Sequence, residues 1–146
     1  MYFFIENKFI SPSIQFLNRL KLKGKESRAR SKLVKILFVK LKQLADEEMT
    51  LAEEYGEKDD SGNFVYAPKD KEGGIVIDPL KVKDYLKEHQ LLMDELVEIS
   101  EGTYDNHLNE LYCILEECTE ELSGIDAEVY DRLLDAFESS PEYCKT

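Results

Sequence analysis

Few residues in this chain have the type and spacing that catalysis needs. His89 and His107 are the only imidazoles, which leaves little for general-base work or metal ligation. Both fall near the apolar stripes of helical patterns and read as packed, hydrogen-bonded histidines. Cys113, Cys118 and Cys144 have neither disulfide-framework nor metal-site spacing. On a helix, Cys113 and Cys118 differ by a rotation of about 140°, so their thiols do not share a face. They read as reduced packing cysteines, with Cys144 in the C-terminal tail. No Ser or Cys sits in a local pattern that activates a nucleophile. Carboxylates adjoin one another throughout, so no pair stands out as an acid–base dyad.

Three near-motifs fail on chemical grounds. Asp59, Ser61 and Asn63 outline a calcium loop. Gly62 comes two positions early, however, and Asp70 stands where the loop needs a bidentate Glu. Gly24-Lys25 is not a phosphate-binding loop, because Arg19 replaces the first Gly and Glu26 replaces the Ser or Thr. Gly73-Gly74 lacks the further spaced glycine of a dinucleotide-binding turn. Neither a cofactor nor a metal site is expected.

Charge carries the main signal. Residues 1–45 hold eleven Lys or Arg against Glu6 and Glu26, a balance of +9. Residues 46–146 hold 8 basic and 29 acidic groups, a balance of −21, so the chain carries −12 in all. Arg19, Lys21, Lys23, Lys25, Arg28, Arg30 and Lys32 form the densest part of the basic segment that runs from 19 to 42. Such a cluster can neutralise phosphates and bind nucleic acid. It can equally pair with acidic residues of the same chain or of another protein. The second reading is preferred, because a segment of −21 competes for these cations and the whole chain repels polyanions. Glu116, Glu117, Glu120 and Glu121 offer a complementary acidic surface. Such a surface can imitate a phosphate backbone toward a basic partner. It can also serve only as a solvated helix face.

The elements that must position these residues follow from periodicity. Met1–Ile5 reads as a short apolar strand. Ser11-Pro12 opens a first helix with Ile14, Leu17 and Leu20 on one side. Lys21–Lys25 reads as a turn. A long helix runs from about Glu26 to Gly56 on Leu33, Ile36, Leu37, Leu41, Leu44, Leu51 and Tyr55, widened by Val34, Phe38, Ala45 and Ala52. A stripe that broad predicts a central helix covered on more than one side by the C-terminal helices. Its basic start and acidic end oppose the helix dipole, which suggests another demand on those positions. The turn-rich stretch 57–74 separates Phe64-Val65-Tyr66 from Ile75-Val76-Ile77, which predicts a small hairpin. Asp78-Pro79 opens a helix through Val82, Tyr85, Leu86, Leu92 and Met93. Leu96–Ser100 is either a strand or a continuation of that helix. Thr103 caps a third stripe of Tyr104, Leu108, Leu111, Leu115, Cys118 and Leu122, stopped by Ser123-Gly124. Asp126 caps a last helix with Val129, Tyr130, Leu133, Leu134 and Phe137, ended by Ser139-Ser140-Pro141.

This pattern predicts one α+β domain over 1–146, predominantly α-helical, with a minor hairpin or small sheet. A chain of 146 residues buries enough surface to fold without a disulfide or metal staple. Met1–Ile5 is interrupted by Glu6 and Lys8, which fits no signal peptide, and no run approaches a membrane span. A cytoplasmic protein with no membrane partner is expected.

Three blocks resemble a known family. The first is Phe16-Leu17-Asn18 with Leu20-Lys21-Leu22-Lys23-Gly24-Lys25-Glu26-Ser27-Arg28-Ala29-Arg30-Ser31-Lys32. The others are Ala52-Glu53-Glu54-Tyr55-Gly56-Glu57-Lys58-Asp59 and Ser123-Gly124-Ile125-Asp126-Ala127-Glu128-Val129-Tyr130-Asp131. Together they resemble an uncharacterised protein family encoded by temperate tailed phages and prophages of Gram-positive bacteria. The blocks span most of the chain, with a weaker match between residues 64 and 100. The resemblance implies an accessory protein acting in the host cytoplasm, and it implies no reaction and no catalytic residue. With the missing catalytic motifs, it favours a non-enzymatic protein that binds a host or phage protein, inhibiting a host enzyme or defence complex. The alternatives are a nucleic-acid-binding regulator using the basic segment, and an assembly factor whose basic ends meet acidic flanks in a homo-oligomer.

Overall fold

A computed structural model of the chain describes residues 2–71, 73–101 and 107–140. Met1 of the expected strand, Thr103 and Tyr104 of the third helical stripe, Pro141 and Cys144 lie outside the described residues. The fold is α+β and mainly helical, as the periodicity predicts. In chain order the described elements are β1 (Tyr2–Glu6), α1 (Ile10–Arg19), α2 (Gly24–Tyr55), α3 (Val82–Asp94), β2 (Leu96–Ser100), α4 (His107–Glu116) and α5 (Gly124–Glu138). Single 3-10 turns occupy Asn7–Phe9 and Lys69–Lys71. The chain forms two compact units, Met1–Leu41 with Glu95–Thr146, and Lys42–Asp94. Among the described residues, no helix is long and apolar enough to cross a membrane.

The first unit is built around the alternation of β1. Phe3 and Ile5 point inward and are buried, while Phe4 points out. Leu96–Ser100 is a strand, antiparallel to β1 with Phe3 opposite Ile99 and Ile5 opposite Val97. Ile99 joins Phe3 and Ile5 in the core. The Phe3 ring lies 4.6 Å from that of Phe137 on α5, and Tyr112 on α4 lies 5.8 Å from the same ring. α5 packs against α1, β1 and α4. Ala29, Leu33, Val34 and Leu37 of α2 are buried in this unit, while Phe38 and Val39 are exposed.

Several helix boundaries differ from the periodic reading. α1 begins at Ile10, one residue before Ser11, and no side chain caps it. Its apolar side is as predicted, with Ile14, Leu17 and Leu20 buried. α2 starts at Gly24, earlier than Glu26. α4 ends at Glu116, short of Cys118 and Leu122. Glu116, Glu117, Glu120 and Glu121 would crowd negative charge onto the negative end of a longer helix, which disfavours extension. The last turn tightens instead, with the Cys118 amide bonded to the Leu115 carbonyl at 3.1 Å. The N-cap of α5 is Ser123, three residues before Asp126. Asp126 instead pairs with Arg19. Gly124 has a φ of +59°, a left-handed conformation that glycine adopts without strain.

The second unit holds the acidic end of α2 and the helix α3. Between them, three short segments pair through isolated bridges: Gly56 with Ile77, Lys58 with Phe64 and Tyr66 with Ile75. The predicted pairing of 64–66 with 75–77 is thus present, but as one bridge, Tyr66 with Ile75, without continuous strands. The Asp59 carboxylate accepts the amides of Ser61 at 2.9 Å and Asn63 at 3.0 Å. The calcium-like outline is therefore a turn closed by its own aspartate. Asp78 bonds the Leu80 amide at 3.0 Å through its carboxylate. The Tyr85 ring meets Tyr55 edge-on at 6.2 Å and stacks on His89 at 5.7 Å. No residue of α3 is fully buried.

Candidate binding surface

The basic and acidic candidates converge in the first unit, although about ninety residues separate them in sequence. α1 stops after Arg19, and residues 20–23 carry the chain to α2. Arg30, in the second turn of α2, turns its guanidinium back to the carbonyls of Leu17, at 3.3 Å, and Leu20. A cation suits the negative end of α1, so Arg30 serves to join α1 to α2. Arg19 is engaged with Asp126 on α5. Lys21, Lys23, Lys25 and Arg28 are exposed, and Lys32 is half-buried. The open basic patch is thus smaller than the sequence cluster.

Opposite lies the acidic segment that follows α4. Glu116, Glu117, Glu120 and Glu121 are all exposed. The Lys21 amide donates to Glu120 Oε1 at 3.4 Å. Two adjoining clefts result. One, of about 300 Å³, is lined by Leu20, Lys21, Leu22, Ile114, Glu117 and Glu120. The other, of about 470 Å³, is lined by Lys25, Arg28, His107, Glu110, Cys113 and Ile114. Glu26 and Ile114 border both. Each cleft therefore has charges of both signs beside the apolar side chain of Ile114. Leu22, Glu26, Glu110 and Ile114 are not candidate site residues by sequence, where nothing in their spacing links α2 to α4.

Tyr130 fixes the end of α4 beside these clefts. Its hydroxyl donates to the Leu115 carbonyl at 2.6 Å. Burial pushes the phenol pKa up, and Cys118 and Glu116 add to the rise. The bond satisfies a carbonyl of the last helical turn.

The second cleft holds an imidazole and a thiol. Glu110 Oε2 lies 3.5 Å from His107 Nδ1. Cys113 is six residues further along α4, a rise of about 9 Å. Cys113 is exposed and Cys118 half-buried, so the expected packing role does not fit Cys113. His89 lies in the second unit, with Nε2 at 3.9 Å from Glu48. Among the described residues, no group of three His, Cys, Asp or Glu side chains is placed to hold a metal ion.

Neither the curated proteins nor the solved structures give a match to this chain. The family model described as "Protein of unknown function (DUF1617)" matches residues 1–143, and the chain belongs to that family.

Proposed function

We propose that this chain is a non-enzymatic accessory protein of temperate tailed phages. It acts in the host cytoplasm and binds a host or phage protein through the two adjoining clefts of its first unit. Occupying that partner's surface inhibits a host enzyme or defence complex. The phage setting rests on the resemblance of three sequence blocks. The binding mode rests on one observation: Lys21, Lys25 and Arg28 line the same two adjoining clefts as Glu110, Glu117 and Glu120, together with the apolar side chains of Leu20, Leu22 and Ile114.

This mixture favours a protein ligand over a nucleic acid. Phosphate chains gain from a continuous positive track. Here carboxylates line the same clefts and repel a polyanion. A polypeptide can offer both charges and an apolar side chain to meet Leu22 and Ile114, so complementarity sets its register.

The test is capture from lysate of a Gram-positive host, with and without nuclease. It compares wild type with Lys21→Glu/Arg28→Glu, followed by direct binding to the purified captured protein. A nuclease-resistant partner whose affinity falls at least about tenfold in the variant supports the reading. Recovery of nucleic acid alone, lost in the variant, replaces it with the regulator reading. Turnover of nucleotides or nucleic acid by the pure protein overturns it.

A further inference from the structure

Three contacts settle which way the backbone groups of the two-stranded sheet point. The Asn7 amide bonds the Glu95 carbonyl at 2.9 Å, just beyond the pair in which Glu6 faces Leu96. The Ser140 hydroxyl donates to the Tyr2 carbonyl at 2.5 Å, and Arg132 Nη2 donates to the Phe4 carbonyl at 3.4 Å. Facing residues of an antiparallel ladder alternate between bonded and non-bonded pairs. Phe3–Ile99 and Ile5–Val97 are therefore the bonded pairs. The backbone groups of Tyr2 and Phe4, and those of Leu96 and Glu98, turn outward to the two edges of the sheet.

The two edges differ. On β1, Ser140 and Arg132 take the outward carbonyls. On β2, the sheet has no third strand among the described residues. No described residue bonds the outward N–H or C=O of Leu96 or Glu98. The side chains of Leu96 and Glu98 share one face of the sheet. Leu96 is 56% exposed, and Glu98 is exposed as well. β1, β2 and α5 all belong to the first unit.

We infer that the outer edge of β2 receives an extended segment of a partner protein, antiparallel, with a Lys or Arg opposite Glu98 and an apolar residue opposite Leu96. The inference stands apart from the cleft-binding proposal. A row of unpaired N–H and C=O groups at strand spacing is a template for an extended chain. An antiparallel neighbour exchanges two hydrogen bonds with Leu96 and two with Glu98. Its residues opposite these two lie two apart and share the exposed face. The antiparallel direction puts the basic residue first and the apolar residue second. Charge selects the occupant. Residues 95–101 hold Glu95, Glu98 and Glu101 and no basic residue. A second copy of β2 would set Leu96, Glu98 or Ser100 opposite Glu98, and none of these is basic. A different chain, carrying the complementary charge, gains a cross-strand pair that self-pairing lacks.

The measurement is an NMR titration of the isotope-labelled full chain with a capped peptide of seven residues, all threonine except lysine third and valine fifth. At low salt a dissociation constant of about 1 mM or tighter is expected. The Leu96 and Glu98 amides should shift and exchange more slowly. The Val97 and Ile99 amides, already bonded to β1, should change little. Replacing the peptide's lysine with glutamate should weaken binding at least about threefold. Glu98→Lys in the protein should reverse that preference. Glu98→Pro removes one outward N–H at a position where an edge strand accepts proline. It should weaken the lysine peptide at least about fivefold. Thermal melts check that both variants fold, and if Glu98→Pro does not, Glu98→Lys still decides. No binding at ~5 mM peptide overturns the inference. So does binding that ignores the charge on both Glu98 and the peptide. Shifts confined to the clefts beside Lys21 and Arg28 overturn it as well.

Discussion

The guanidinium of Arg132 on α5 grips the carboxylate of Glu6 at the end of β1. Nε donates to Oε2 at 2.8 Å and Nη2 to Oε1 at 3.0 Å. Nη2 also reaches the Phe4 carbonyl at 3.4 Å. Both side chains are about one-quarter exposed, 25% for Arg132 and 24% for Glu6. A planar fork on a carboxylate is among the stronger polar contacts available to a protein. Here it fastens β1 to α5, as does the Phe3–Phe137 ring contact.

This geometry predicts a pH-dependent contribution to stability. The hydrogen bond from Arg132 holds the Glu6 carboxyl below its usual range, against the opposing effect of burial. A carboxylate with a depressed folded pKa stabilises the fold above its unfolded pKa, and the effect fades as pH falls through the folded value. Glu6→Gln should therefore cost about 1–2 kcal/mol at pH 7. The gap from wild type should shrink at about pH 3, below the usual Glu pKa. Urea titrations at the two pH values measure it. An equal gap at both would show that the charged pair is not its source.

Arg30 is expected to matter for stability ahead of partner binding. It bonds the carbonyls of Leu17 and Leu20, which close α1. Arg30→Ala should lower stability by about 1–3 kcal/mol, the range for losing charge-assisted bonds to partly buried carbonyls. Arg30→Lys should recover only part, because an ammonium lacks the guanidinium's rigid fork. Thermal melts of the three proteins decide it. Full recovery by Lys would mean that charge alone suffices.

Local pattern carried much of this architecture, and it fell short where distant groups compete. The apolar run at Met1–Ile5 was enough to point to β1, which spans Tyr2–Glu6. Leu96–Ser100 was ambiguous because only its pairing with β1, some ninety residues away, makes it a strand. Cys118 and Leu122 kept the period of α4, yet the helix stops at Glu116, where charge overrides periodicity. Asp126 had the right type and position for a cap, but Arg19 of α1 claims its carboxylate. The candidate surface was half legible in the same way. The charge of Lys21 and Glu120 was visible in the sequence. Their convergence on Ile114, and the engagement of Arg19 and Arg30 elsewhere, depend on how α1, α2, α4 and α5 pack.

The second unit offers a separate test at Gly56, which follows α2 and is buried. A Cβ there would lie 2.8 Å from Cγ2 of Ile75, 2.9 Å from the Ala52 carbonyl oxygen and 3.0 Å from Cδ1 of Phe64. The Ile75 and Phe64 side chains can shift, but the Ala52 carbonyl belongs to the helix backbone. Gly56→Ala should therefore destabilise this unit by about 1–3 kcal/mol through overpacking. Loss of unfolded-chain entropy works in the opposite direction, by about 0.4–1 kcal/mol, and does not offset it. Hydrogen exchange localises the effect. The Glu57 amide donates to Val76 at 2.8 Å, and the Val65 and Val76 amides donate to Glu57 and Val65 at 2.9 Å. All three should exchange faster in the variant. The Asn7 amide, bonded to the Glu95 carbonyl at 2.9 Å in the first unit, serves as the reference. Unchanged exchange at Glu57, Val65 and Val76 would mean that the segments joined by the three bridges yield to a methyl group at little cost.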